Sequence, residues 1–157
     1  MRIPSTLFFV GMLLLVACGS SGQLAYSPGD HTGDGASLGT VTLASPKVGD
    51  VAFTPTSCTA GDNELFLGGD FIDENAGMIL RFVIDPLHGP AVRAFSMKEP
   101  NDRTVVFRRS ECRAFQFEIE RTGLTVNDVD EYRISLQLDC ATGEGNLKAR
   151  VASDSCL

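Results

Sequence analysis

From Leu38 onward, apolar and polar side chains alternate with a period of two. Turn residues break the alternation roughly every eight to twelve positions, the spacing of an all-β domain. Strict alternation puts successive side chains on opposite faces of a half-buried strand. Short strands in this rhythm predict an antiparallel β-sandwich, immunoglobulin-like or similar, with about eight to nine strands. Leu38 to Ala44 and Val48 to Thr54 are rich in Thr and Val and read as the first two strands; Pro46 and Gly49 punctuate them and Pro55 closes the second. Asn63 to Gly68 is a third, ended or bulged by Gly68-Gly69-Asp70. Gly77 to Asp85 is the most apolar. Met78, Leu80, Phe82 and Ile84 share one face, and Ile79, Arg81 and Val83 the other, where Arg81 alone marks solvent. A strand apolar on both faces belongs in the centre of a sheet. Pro86 to Pro90 is a turn, Ala91 to Met97 and Arg103 to Arg109 are strands, and Glu99-Pro100-Asn101-Asp102 separates them. No stretch sustains a period of 3.6, so little or no helix is expected.

Residues 1–37 do not share this pattern. Arg2 precedes an apolar run from Leu7 to Val16, which at about ten residues is half the roughly 20 needed to span a hydrocarbon core. Together they have the form of a secretory signal. The run ends in Leu15-Val16-Ala17-Cys18, which resembles the lipobox of bacterial lipoproteins. The resemblance implies cleavage before Cys18, acylation of the Cys18 thiol (palmitate or a similar chain) and attachment to the lipid bilayer. Two or more acyl chains anchor stably where one does not. Gly19 stands where Asp often signals inner-membrane retention in Gram-negative lipoproteins, so the resemblance favours the outer membrane. Residues 19–37 are rich in Gly, Ser, Asp and Pro and read as a tether, with an r.m.s. span of roughly 25 Å for a flexible coil of that length. The expected organisation is a signal peptide at 1–17, lipidated Cys18 and tether through 37, and one β-sandwich over 38–157.

The chain has five cysteines. Setting Cys18 aside leaves Cys58, Cys112, Cys140 and Cys156, and an even number in an exported domain predicts two disulfides. Zinc is the weaker reading, because no C-x-x-C pair occurs and the histidines are only His31 and His88. Strand register bears on the pairing. Phe115, Phe117 and Ile119 alternate with Gln116, Glu118 and Glu120; Ile134, Leu136, Leu138 and Cys140 alternate with Arg133, Ser135, Gln137 and Asp139. Matching inner faces pairs 115 with 138, 117 with 136 and 119 with 134, which centres the turn between Val126 and Asn127, within Thr125 to Asp128. The next hairpin pairs 138 with 149 and 136 with 151 and turns between Gly143 and Glu144. In this register Cys112 falls one residue off and on the wrong face from Cys140. A bulge near Arg113-Ala114 would bring it round. That favours Cys112–Cys140 and leaves Cys58 for Cys156; the two other connectivities stay open.

Charge narrows the partners. The chain carries 13 Lys and Arg against 20 Asp and Glu, net −7. Loss of Arg2 with the signal makes the mature chain −8. An acidic surface argues against nucleic acid as a partner. No nucleophile motif accompanies either histidine, and no G-x-S-x-G occurs. Glu118 with Glu120 (about 7 Å apart by strand rise), the Asp70–Asp73–Glu74 group and the Asp128–Asp130–Glu131 group read as solvated charge ahead of catalytic carboxylates. Asp70 to Asn75, and Asp30 with Asp34-Gly35, offer oxygen ligands for calcium without EF-hand spacing. Arg108, Arg109 and Arg113 are expected to pair with Glu111, Glu118 and Glu120.

Residues 105–157 are also similar to uncharacterised small lipoproteins and secreted β domains of myxobacterial-type Gram-negatives. The shared order is Ser110-Glu111-Cys112, an Arg121-Thr122 turn running through Asn127, a Leu138-Asp139-Cys140 strand and a terminal Cys156. This chain departs in having Glu131-Tyr132-Arg133 where a Gly is often found. The resemblance implies a fold and export, with no activity attached. The expected function is therefore a membrane-anchored envelope lipoprotein, non-enzymatic, cofactor-free, structural or protein-binding, with an envelope protein as partner. The alternative is a ligand-binding sandwich of carbohydrate or calcium-dependent type.

Overall fold

The computed structural model describes residues 38–63 and 66–157. The signal, Cys18, the tether with Asp30, His31 and Asp34, and the lipobox reading all lie outside the described residues. The described residues form an all-β sandwich of ten strands: β1 Gly39–Ser45, β2 Gly49–Phe53, β3 Ser57–Asn63, β4 Phe66–Asp73, β5 Met78–Asp85, β6 Gly89–Ser96, β7 Thr104–Arg108, β8 Cys112–Val126, β9 Val129–Thr142 and β10 Gly145–Cys156. One 3₁₀ turn, Arg109–Glu111, joins β7 to β8. Among the described residues no helix is long and apolar enough to cross a membrane.

Two five-stranded antiparallel sheets face each other. The first has the order β2-β1-β10-β9-β8 and the second β3-β4-β5-β6-β7. The second is a plain meander, and the first adds the N-terminal hairpin to a C-terminal meander. The chain therefore changes sheet only twice, after β2 and after β7. Alternation fills the core as expected: Val41, Leu43, Ile134, Leu136, Leu147 and Val151 come from the first sheet, and Phe71, Leu80, Phe82, Val92, Val105 and Phe107 from the second. The Phe82 ring packs tilted against Phe117 at 4.7 Å across the gap, and Phe115 meets Phe117 edge-on at 6.2 Å. The Arg103 guanidinium donates to the Val48 carbonyl at 2.9 Å, tying the loop before β7 to the turn before β2.

The C-terminal registers agree with the alternation. Phe115 faces Leu138, Phe117 faces Leu136, Ile119 faces Ile134, and Leu138 faces Ala149. Register shifts between Cys112 and Ala114, so Cys112 lies opposite Cys140, and the two are bridged. Cys58 is bridged to Cys156. A second irregularity between Arg121 and Thr125 moves the turn one residue from its expected centre. Val126 pairs with Val129, and the turn is Asn127-Asp128, both at positive φ (50° and 64°), as a tight hairpin turn requires.

The central segment differs from the sequence reading in two places. β3, Ser-Cys-Thr-Ala-Gly-Asp-Asn, has the composition of a turn, yet it pairs with β4 along its length. Its Cys58 bridge and the Ala60 N–H, which donates to the Leu157 carbonyl at 3.2 Å, hold it against the end of the first sheet. Gly68 and Gly69 do not end their strand; β4 runs through to Asp73. A Cβ at Gly69 would stand 2.5 Å from Ile134 Cδ1, and one at Gly68 would stand 2.1 Å from the Phe82 carbonyl oxygen. These glycines admit close approach of a core side chain and of a neighbouring strand.

Candidate functional site

The outward faces of the two sheets differ in kind. On β1, β10 and β9 the outward residues include Thr40, Thr42, Lys148, Arg150, Gln137 and Asp139, and the apolar members are alanines apart from Val129 at the hairpin tip. On the second sheet the register stacks three outward rows across the strands. One row runs Ile72, Ile79, Phe95, Thr104; the next runs Thr59, Asp70, Arg81, Arg93, Val106; the third runs Gly61, Gly68, Val83, Ala91, Arg108. Phe95 points away from the core and is still only 8 % exposed. The Arg81 guanidinium lies over its ring at 5.3 Å from the centroid, within the reach of a cation–π contact.

Arg81 is held on its other side by Asp70, through Nε at 2.7 Å and through a terminal nitrogen at 2.6 Å, a bidentate fork. That hydrogen bond is the main reason the Arg81 guanidinium stays protonated beyond its ordinary range, and the Asp70 charge adds to it against desolvation. Two shallow depressions open on either side of the arginine row. One, about 340 Å³, is lined by Thr59, Gly61, Gly68, Asp70 and Val83, and the other, about 290 Å³, by Phe95, Pro100, Asn101 and Thr104; Arg81 and Arg93 border both.

The residues singled out from sequence fall in separate places. Asp70 and Asp73 are an odd number of residues apart, so β4 turns them to opposite faces. Asp70 pairs with Arg81, while buried Asp73 accepts the Thr54 and Ala76 N–H groups, each at 2.9 Å. The calcium candidate at 70–75 therefore does not assemble. Among the described residues no three His, Cys, Asp or Glu side chains converge as a metal site. His88 sits in an exposed turn with Nδ1 3.1 Å from Asp85. The Asp85 carboxyl lies below its ordinary pKa, first because it accepts the Leu87 N–H and then through His88. Glu120 pairs with Arg133 at 3.5 Å, and Asp130 with Arg121 at 3.2 Å. Glu131 accepts hydroxyls from Ser155 and Thr122, which lower its pKa in that order.

The expected pairing of the basic cluster is not what forms. Arg113 sits at the bulge and reaches Asp139 at 2.8 Å. The Glu111 carboxylate accepts the Arg108 backbone N–H at 2.7 Å. Strict alternation with Phe115 and Phe117 would have set Arg113 on the inner face, away from Glu118 and Glu120, and the bulge turns it outward onto Asp139. Sequence reasoning also missed Arg93, Phe95 and the outward role of Asp70. The alternation Ala91-Arg93-Phe95 against Val92-Ala94-Ser96 was the available signal, but the aromatic would ordinarily be assigned to the core. Comparison with protein-family profiles, curated proteins and solved structures finds no match, so the function must be argued from these residues.

Proposed function

We propose that this chain is a lipid-anchored envelope protein, attached to the bilayer through acylated Cys18, whose sandwich is a non-enzymatic recognition module. The outward face of β3–β7 is its binding surface, and an envelope component is its partner. The observation that carries the reading is the contrast between the two outer faces. Across β1, β10 and the body of β9 one is polar apart from alanines, as a solvated sheet face is, and its exposed apolar residues Leu124, Val126 and Val129 are confined to the tip of the β8–β9 hairpin. The other sets Ile72, Ile79, Val83 and Phe95 around a fixed Arg81–Asp70 pair. Apolar surface rimmed by polar groups is the usual composition of an interaction site. The Leu15-Val16-Ala17-Cys18 motif and the two disulfides support an anchored location outside the cytoplasm.

Two experiments test the two halves. Cys18→Ser should release the protein from membranes while the sandwich stays folded; a variant that remains membrane-bound and correctly processed overturns the lipid anchor. A photo-crosslinking residue placed at Ile79 should form adducts with envelope material, and one placed at Thr42 on the opposite face should not. Equal yields at the two positions, or none at either, overturn the recognition face.

A further inference from the structure

We propose that the Arg81–Arg93 row and the depressions beside it bind a carboxylate-bearing saccharide, an inference that rests on the recognition-face reading above and names its ligand. Arg81 and Arg93 are direct cross-strand partners at the centre of the outward face. Like charges placed directly opposite on a sheet are unfavourable. Asp70 neutralises Arg81, and its side chain is only 15 % exposed behind that fork. Arg93 is exposed, its next neighbour across β7 is Val106, and among the described residues no carboxylate stands within ion-pair distance of it. The other carboxylate bordering the depressions, Asp85, is engaged by the N–H groups of its own turn. A chain of net −7 therefore keeps one unbalanced guanidinium at the middle of its least polar face.

The chemistry selects the ligand. A free guanidinium presents a planar fork of donors that matches a carboxylate in bidentate geometry. Around it stand acceptors, the Asp70 lone pairs that Arg81 leaves unused, and groups that both donate and accept, the side chains of Thr59, Asn101 and Thr104. That mixture suits hydroxyls, which do both. The floor at Gly61, Gly68 and Val83 raises no polar group, so the C–H face of a sugar ring can lie on it. An extended peptide would draw its affinity from main-chain hydrogen bonds at a sheet edge. Here β4, β5 and β6, which carry Gly68, Val83 and the two arginines, are flanked on both sides, and only β3 and β7 are edges, so at the arginine row recognition must come from side chains. Each depression is at the small end of ligand-sized sites, and the shared arginines join them.

The test uses the mature chain carrying Cys18→Ser, titrated calorimetrically with uronate oligosaccharides, sialyllactose and N-acetylmuramate. Neutral sugars of matched length, acetate and a short peptide with a free C-terminus serve as comparisons. At least one acidic sugar should bind at least about tenfold more tightly than its neutral match, the difference one charge-assisted pair supplies. Added salt should weaken it, and binding should raise the melting temperature. Arg93→Ala should lose that preference, while its unliganded melting temperature stays level or rises because a like-charge neighbour is gone. Arg93→Lys should recover only part of the preference, since it restores charge without the fork. The proposal is overturned if no acidic sugar of the panel binds, if neutral sugars bind equally, if acetate or the peptide binds as tightly, or if Arg93→Ala leaves binding intact. Crosslinking at Ile79 separates the two levels: adducts formed there without saccharide binding keep the recognition face and remove its sugar, and loss of both removes both.

Discussion

Opening Cys58–Cys156 should destabilise the domain more than opening Cys112–Cys140. The bridges close 98 and 28 residues respectively. In the chain-entropy picture the shorter loop contributes about 3.6 kcal/mol. The longer one encloses the shorter, so with Cys112–Cys140 intact its effective length contracts to about 71 links and its contribution to about 4.4 kcal/mol. Both bridges end on a fully buried sulfur, at Cys156 and Cys140, so cavity effects of alanine replacement are similar and largely cancel in the comparison. The native state adds to the difference. Cys112–Cys140 joins neighbouring strands of one sheet, whereas Cys58–Cys156 joins β3 of one sheet to β10 of the other. Urea unfolding of Cys58→Ala/Cys156→Ala and Cys112→Ala/Cys140→Ala, each in a Cys18→Ser background, measures the two losses. Hydrogen exchange adds a local readout: the Ala60 amide, bonded to the Leu157 carbonyl at that seam, should exchange faster only in the first variant. A larger loss from the second pair, or unchanged exchange at Ala60, refutes the reasoning.

Gly69→Ala should destabilise by about 1–3 kcal/mol through overpacking, because its Cβ meets Ile134 Cδ1 and the Thr59 carbonyl. Adding Ile134→Val, which deletes that Cδ1, should give a coupling of about 0.5 kcal/mol or more in a double-mutant cycle; strict additivity would place the strain elsewhere. Asp73→Ala leaves the Thr54 and Ala76 N–H groups without their acceptor, and urea unfolding should show a loss of about 1–3 kcal/mol, with Asp73→Asn, which retains one acceptor oxygen, losing less. Glu131 has a lowered folded-state pKa from its Ser155 and Thr122 partners. Its contribution is therefore present above the ordinary glutamate pKa of about 4.3 and disappears as pH falls through that value toward the folded one. Melting temperatures followed down through that range should fall less steeply for Glu131→Gln than for the parent.

The sandwich was legible because a half-buried strand writes its inner face into every second residue. The C-terminal strands do this without interruption, so their inner faces specified register, and register with one bulge specified a disulfide. The information failed where a local rule met a tertiary one. Gly68-Gly69 reads as a strand end by propensity, yet both glycines serve close packing in mid-strand. β3 reads as a turn and is held in place by a bridge to the far end of the chain, which no window of neighbouring residues can contain. The extra irregularity between Arg121 and Thr125 is marked only by Gly123, which takes a positive φ of 85° there, since the residues around it are outside the core and their alternation was not constrained by burial.

The candidate site was hidden for a different reason. Alternation sorts side chains into two sets but does not say what an outward set will be covered by. In β5 and β6 the outward set includes Ile79, Val83 and Phe95, a composition that would be an association hazard if bare. Arg81 lies over Phe95 and is pinned by Asp70, so the patch is partly shielded by a charged group whose stem is apolar. That shielding accounts for Arg81 and Asp70 as structural residues needing no ligand. It does not account for Arg93. A second guanidinium directly opposite the first adds repulsion and brings no counter-charge among the described residues. A purely structural face would be more stable with a neutral residue there. The sign of the Arg93→Ala effect on unliganded stability therefore separates the two accounts: a clear loss would make Arg93 part of the shield, and a level or raised melting temperature would leave it to a ligand.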